Sequence, residues 1–137
     1  MDTTMQDVEL FISEWAESPE RNRTVFIKLK EHLESMAGVS LSFYPRPGVT
    51  YSLRARHARQ KDKPLFVMVD VIEGDPRWLS VCFYSDMITD PEESGDYVPG
   101  GLLGEDGRCF DVEQYNEDRL HYLQARMDEA CRAAAVL

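Results

Sequence analysis

Asp70 is the first residue whose type and place suggest chemistry. It interrupts the otherwise apolar run Leu65-Phe-Val-Met-Val-Asp-Val-Ile72. A carboxylate inside such a strand costs free energy unless it is paired. Arg54 or Arg56, on the preceding segment, would be a cross-strand partner, giving a structural ion pair. A general base in a pocket is the functional alternative, and His57 is the nearest second titratable group for a small enzyme of that kind.

Other catalytic signatures are missing. There is no Gly-x-Ser-x-Gly and no local Cys/His signature, so nucleophilic catalysis has no motif to support it. Pro99-Gly-Gly-Leu-Leu-Gly104 is glycine-rich, yet it lacks the lysine and Ser/Thr of a phosphate loop. The acids Asp86, Asp90, Glu92, Glu93 and Asp96 are dense but do not follow the calcium-loop pattern, and His32, His57 and His121 show no zinc spacing with the cysteines. Neither a metal nor a cofactor is expected.

Cys82, Cys109 and Cys131 are odd in number and far apart, with no Cys-x-x-Cys. That pattern favours free thiols in a reducing compartment, so a cytoplasmic protein, with Cys82 and Cys131 as small core residues. Met1-Asp-Thr-Thr-Met-Gln-Asp7 has neither a basic nor an apolar region, so no secretory signal is expected, and no apolar run approaches a membrane span.

The elements that would position these residues are legible from hydrophobic period. Met5, Val8, Phe11, Ile12 and Trp15 make one helical stripe, and Phe26, Leu29, Leu33 and Met36 make a second. The second helix is expected to start with Ser18 as N-cap and Pro19 as its first residue, and to stop at Gly38. The period then changes to two. Val39–Tyr44 and Val49–Arg56 read as a hairpin around Pro45-Arg46-Pro47-Gly48, followed by strands at Leu65–Ile72 and Trp78–Tyr84. Cys109, Phe110 and Val112 suggest a short fifth strand. Asn116 caps a last helix with a stripe of Leu120, Leu123, Met127 and Ala130 or Cys131. Residues 85–107 read as a long acidic loop.

The expected architecture is a single α+β domain over residues 1–137. It has two N-terminal helices, an antiparallel meander of four to five strands, and a C-terminal helix packed on one sheet face. The length of 137 residues, with 43% hydrophobic and 29% charged, suits one soluble domain.

Charge is segregated along the chain. The formal net charge is −10. Residues 85–118 hold eleven acids against Arg108 alone, so that segment carries the whole excess. Residues 46–63 hold Arg46, Arg54, Arg56, Arg59, Lys61 and Lys63 against Asp62. An acidic balance of this size disfavours nucleic acid and anionic membrane as partners. The expected site is the polar face of the sheet, with Arg54, Arg56, Asp70, Trp78 and Tyr84 bordered by the acidic loop. A non-enzymatic module binding a protein or small ligand fits this pattern best. A small enzyme around Asp70 and His57 is the first alternative, and a homodimer built through the sheet is the second.

Overall fold

The computed structural model describes residues 4–136. Helices α1 (Thr4–Glu14) and α2 (Asn22–Glu34) precede strands β1 (Val39–Arg46), β2 (Thr50–His57), β3 (Val67–Ile72), β4 (Trp78–Tyr84), β5 (Asp96–Leu102) and β6 (Glu105–Val112). Helix α3 (Glu117–Val136) closes the chain. The strands form one sheet in the order β1-β2-β3-β4-β6-β5, with every neighbouring pair antiparallel.

The α+β class and the placement of helices at both ends agree with the sequence reading. The sheet has six strands rather than four to five. The additional one is β5, drawn from the segment expected to be loop. Pro99 and two glycines hide it, and an edge position tolerates them because its outer N–H groups need no ladder partner. Its pairing with β6 shifts register between Val98 and Leu102.

Side-chain alternation gives the sheet two unlike faces. Tyr51, Leu53 and Ala55 of β2, Val67, Val69 and Val71 of β3, Leu79, Val81 and Phe83 of β4, and Phe110 and Val112 of β6 are buried. The helices cover this face. Phe11 of α1 stacks on Tyr51 at 4.5 Å between ring centroids and meets Phe26 of α2 edge-on at 5.9 Å. Tyr122 of α3 meets Phe110 at 6.1 Å. Leu120, Leu123, Met127, Ala130 and Ala134 are the buried stripe of α3, and Asn116 Oδ1 accepts from the Arg119 N–H at 2.9 Å, as its capping role requires. No helix among the described residues is long and apolar enough to cross a membrane.

Two expectations are corrected. Helix α2 starts at Asn22, not at Pro19; Ser18–Arg21 form a turn closed by Arg21 N–H on the Ser18 carbonyl at 2.9 Å. Tertiary anchoring sets this start. The buried Asn22 amide donates to the Arg77 carbonyl at 2.8 Å and the Glu113 carbonyl at 3.1 Å, tying α2 to the approach to β4 and the end of β6. The second correction concerns the cysteines. Cys82 and Cys109 face each other in register across β4 and β6 and form a disulfide, with Cα atoms 4.1 Å apart; Cys131 alone is a free thiol. Residue spacing misses this pair because it carries no information on the register between β4 and β6.

Two outcomes are expected. The disulfide closes a sequence separation of 27 residues, so its reduction should lower unfolding free energy by about 3.5 kcal/mol in the chain-entropy account, seen as a lower urea midpoint with dithiothreitol than without. Replacing Asn22 with Ala should cost about 2 kcal/mol by the same assay, because two carbonyls lose a buried donor.

Candidate functional site

The face away from the helices is polar and runs across the whole sheet. Register places Tyr44, Ser52, Asp70, Ser80 and Asp111 in one row over five strands. A parallel row holds Ser42, Arg54, Met68, Cys82, Cys109 and Asp96. Thr50, Ile72 and Trp78 begin a third. Arg54, Arg56, Asp70, Trp78 and Tyr84 therefore lie on one face, because each shares the even phase of its strand. His57 takes the odd phase of β2 with Leu53 and Ala55, so it belongs to the helix side. Its Nδ1 accepts from the Arg59 N–H at 3.0 Å, and its ring packs on Gly38. Asp70 and His57 do not converge.

Asp70 does not form the expected ion pair. Its direct cross-strand neighbour is Ser52, whereas Arg54 stands opposite Met68, one diagonal away. The Arg54 guanidinium instead lies 4.3 Å over the Tyr44 ring, and its Nε donates to the Ser52 hydroxyl at 3.2 Å. Arg56 donates through Nη2 to the Gln60 carbonyl at 3.0 Å. Asp70 Oδ1 is buried with no hydrogen-bond partner. Burial raises the Asp70 pKa above its ordinary value, against the smaller lowering effects of Ser52 and the Arg54 charge.

Tyr84 is on this face but is only 1% exposed. Lys63 Nζ lies 4.4 Å over its ring and pairs with Glu105 at 2.9 Å and Asp86 at 3.8 Å. Burial, then the Glu105 charge, raises the Tyr84 pKa. Among the described residues, Lys63 is thus the one point where the basic segment meets the acidic one through an ion pair, and it closes that end of the face over Tyr84.

The other charges of the face stay apart. Among the described residues, no ion pair includes Arg46, Arg54, Arg56, Asp70, Asp96 or Asp111. The arginines stand on β1 and β2. Asp96 and Asp111 stand at the far side, on β5 and β6, and both are exposed. Asp111 also borders an open depression of about 960 Å³ with Glu92, Glu113, Asn116, Asp118 and Arg119. Its pKa is raised by burial, then by the negative charges of Asp96 and Glu113. Among the described residues, no group of three or more His, Cys, Asp or Glu side chains is placed to hold a metal.

Asp90 of the acidic segment serves structure. Asp90 accepts from Ser94 N–H at 3.2 Å, from Gly95 N–H at 2.9 Å and from the Tyr122 hydroxyl, and Arg108 stands 3.5 Å away. A Cβ on Gly95 would come within 2.8 Å of the Phe110 ring, so this turn requires glycine. Sequence reasoning missed Asp96 and Asp111 as members of the face. Their only signal was an alternation in β5 and β6 masked by glycine and proline.

Comparison with protein-family models, with curated proteins and with solved structures finds no match for this chain.

The Asp70 environment gives a test by titration. Its carboxyl holds a proton more tightly folded than unfolded, so ionisation costs stability as pH rises above about 3.8, the ordinary value. Asp70→Asn should therefore be more stable than the parent at pH 7, with the difference shrinking to nothing below that value. Paired urea titrations at the two pH values measure it, and an Asn variant less stable at pH 7 would contradict the account.

Proposed function

We propose that this protein is a non-enzymatic binding module whose open sheet face receives a macromolecular partner. The observation that supports it is the set of charges on this face without an ion pair among the described residues, on the side of the sheet away from the described helices, basic on β1–β2 and acidic on β5–β6. Elsewhere the chain pairs its charges readily: Lys30 meets Glu9 at 3.0 Å, Arg77 meets Glu73 at 2.6 Å and Arg126 meets Glu129 at 2.6 Å. The Arg54 and Tyr44 pair, with Trp78 across the sheet, supplies the Arg and aromatic anchors common at protein interfaces. The acidic half of the same face opposes a nucleic-acid phosphate backbone.

A cytoplasmic location belongs to this reading and is supported by Cys131 remaining a free thiol. The Cys82–Cys109 bond argues the other way, because disulfides persist mainly in oxidising compartments. Fractionation of source cells with thiol trapping would decide it.

The binding face is tested by photo-cross-linking in the source cell. A photoreactive phenylalanine analogue in place of Tyr44 should give a discrete adduct. The same group in place of Leu10, exposed on α1, should not. Arg54→Glu with Arg56→Glu should abolish the Tyr44 adduct while leaving the circular dichroism spectrum intact. Adducts at Leu10 alone, or a Tyr44 adduct indifferent to both reversals, would sink the reading.

A further inference from the structure

We infer that the open sheet face is complementary to itself and that its partner is a second copy of this chain. The inference rests on the binding-face reading above and names the occupant.

Symmetry and charge carry the argument. A pair of identical faces meets about a twofold axis, so residue i of one copy contacts residue j of the other and the reverse. Such an axis lies in the plane of the interface, either perpendicular or parallel to the strands. An axis perpendicular to the strands lays β2 on β2 and β6 on β6, which places Arg54 and Arg56 against their own copies and Asp96 and Asp111 against theirs. Like charges juxtaposed across an interface oppose association. An axis parallel to the strands, between β3 and β4, reverses the strand order instead. It lays β2 of one copy on β6 of its partner and β1 on β5. Arg54 then falls over the partner's Cys109, with Asp96 beside it on β5 and Asp111 one step along β6. The basic half of each copy covers the acidic half of the other, twice.

The middle of the face fits the same axis. Ile72 of β3 and Trp78 of β4, both half-buried, stand opposite each other in one row. Laying β3 on the partner's β4 sets Ile72 of each copy against Trp78 of the other, with the charges of β2, β5 and β6 outside them and the half-buried Asp70 carboxyl beside them. Sheets stacked with strands nearly aligned are an ordinary packing, about 10 Å apart, a gap that Arg and Asp side chains together can span. None of Arg54, Arg56, Asp96 or Asp111 has an oppositely charged group of its own chain within ion-pair distance among the described residues. A second copy brings Arg54 to Asp96 and Asp111.

Sedimentation velocity on the oxidised protein tests this across a concentration series. The parent should form a dimer that weakens as salt is raised. Arg54→Glu alone and Asp111→Arg alone should each be monomeric, since each places like charges together. An equimolar mixture of the two variants should dimerise again. The carboxylate introduced at position 54 of one copy then meets the guanidinium introduced at position 111 of the other, while the unaltered Arg54 and Asp111 meet at the second contact. That rescue also shows both variants to be folded.

Three outcomes would overturn the inference. A monomeric parent removes the second copy as partner; if the Tyr44 cross-link then joins a different protein, the binding-face reading stands without it. A dimer unaffected by either charge reversal lies on another surface. Variants that are each monomeric and stay so when mixed show that Arg54 and Asp111 do not face one another.

Discussion

Phe11 joins three elements that are distant in sequence, and the orientation of the sheet depends on that junction. Its ring stacks on Tyr51 at 4.5 Å and lies 5.5 Å from both Trp15 and Phe43. Phe26 meets it edge-on, so both N-terminal helices press on β1 and β2 through one aromatic cluster. Arg77 closes the cluster from the side, with its guanidinium 5.2 Å over Phe11 and 5.0 Å over Tyr51, held by Glu73. Once Tyr51 points to the helices, alternation sends Ser52 and Arg54 the other way. A shift of one residue would exchange the two faces entirely, burying arginine and exposing leucine. The polar face is thus a by-product of the apolar one, and its composition is where the chain had freedom.

That freedom was used unevenly. Uncharged side chains such as Ile72, Trp78 and Ser80 fill much of β3 and β4 on this face, while formal charge other than Asp70 collects at its two sides. Many charges on other surfaces of the molecule find partners within the chain, some of them between elements, as Lys30 of α2 does with Glu9 of α1 at 3.0 Å. Lys63 shows that the basic and acidic segments can meet, since it reaches both Asp86 and Glu105. Arg54 and Arg56 of β2 are held by local interactions with Tyr44, Ser52 and the Gln60 carbonyl instead. Those contacts fix the side chains without neutralising them, which leaves a directed electrostatic field along the sheet.

Most of the architecture is legible in the residues because period is a strong signal where apolar side chains are regular. The stripes of α1, α2 and α3, and the alternation of β1 to β4, predict the helices, the strands and which residues share a face. The exceptions have physical causes. Strand β5 is unreadable because Pro99, Gly100 and Gly101 carry no alternation, and an edge strand needs little. The start of α2 is displaced because Asn22 makes its decisive hydrogen bonds to residues 55 and 91 positions away. The Asp70 ion pair fails by one diagonal, a matter of register that no local pattern encodes. The cysteine pair depends in the same way on the register between β4 and β6.

The Cys82–Cys109 bond gives the chain a closed covalent ring. Between its ends lie the 3-10 turn Ser85–Met87, the exposed stretch around Glu92 and Glu93, and the β5–β6 hairpin turn. These surface turns are the kind of segment that proteases reach first. A cut anywhere within the ring leaves two polypeptides in name only. The N-terminal piece carries β1 to β3 and at least the start of β4, the C-terminal piece carries α3 and at least the end of β6, and one sulfur–sulfur link keeps them a single molecule. Nicked and intact protein would then migrate alike until a reductant is added, and the central β4–β6 seam would outlast the connection that follows it in sequence.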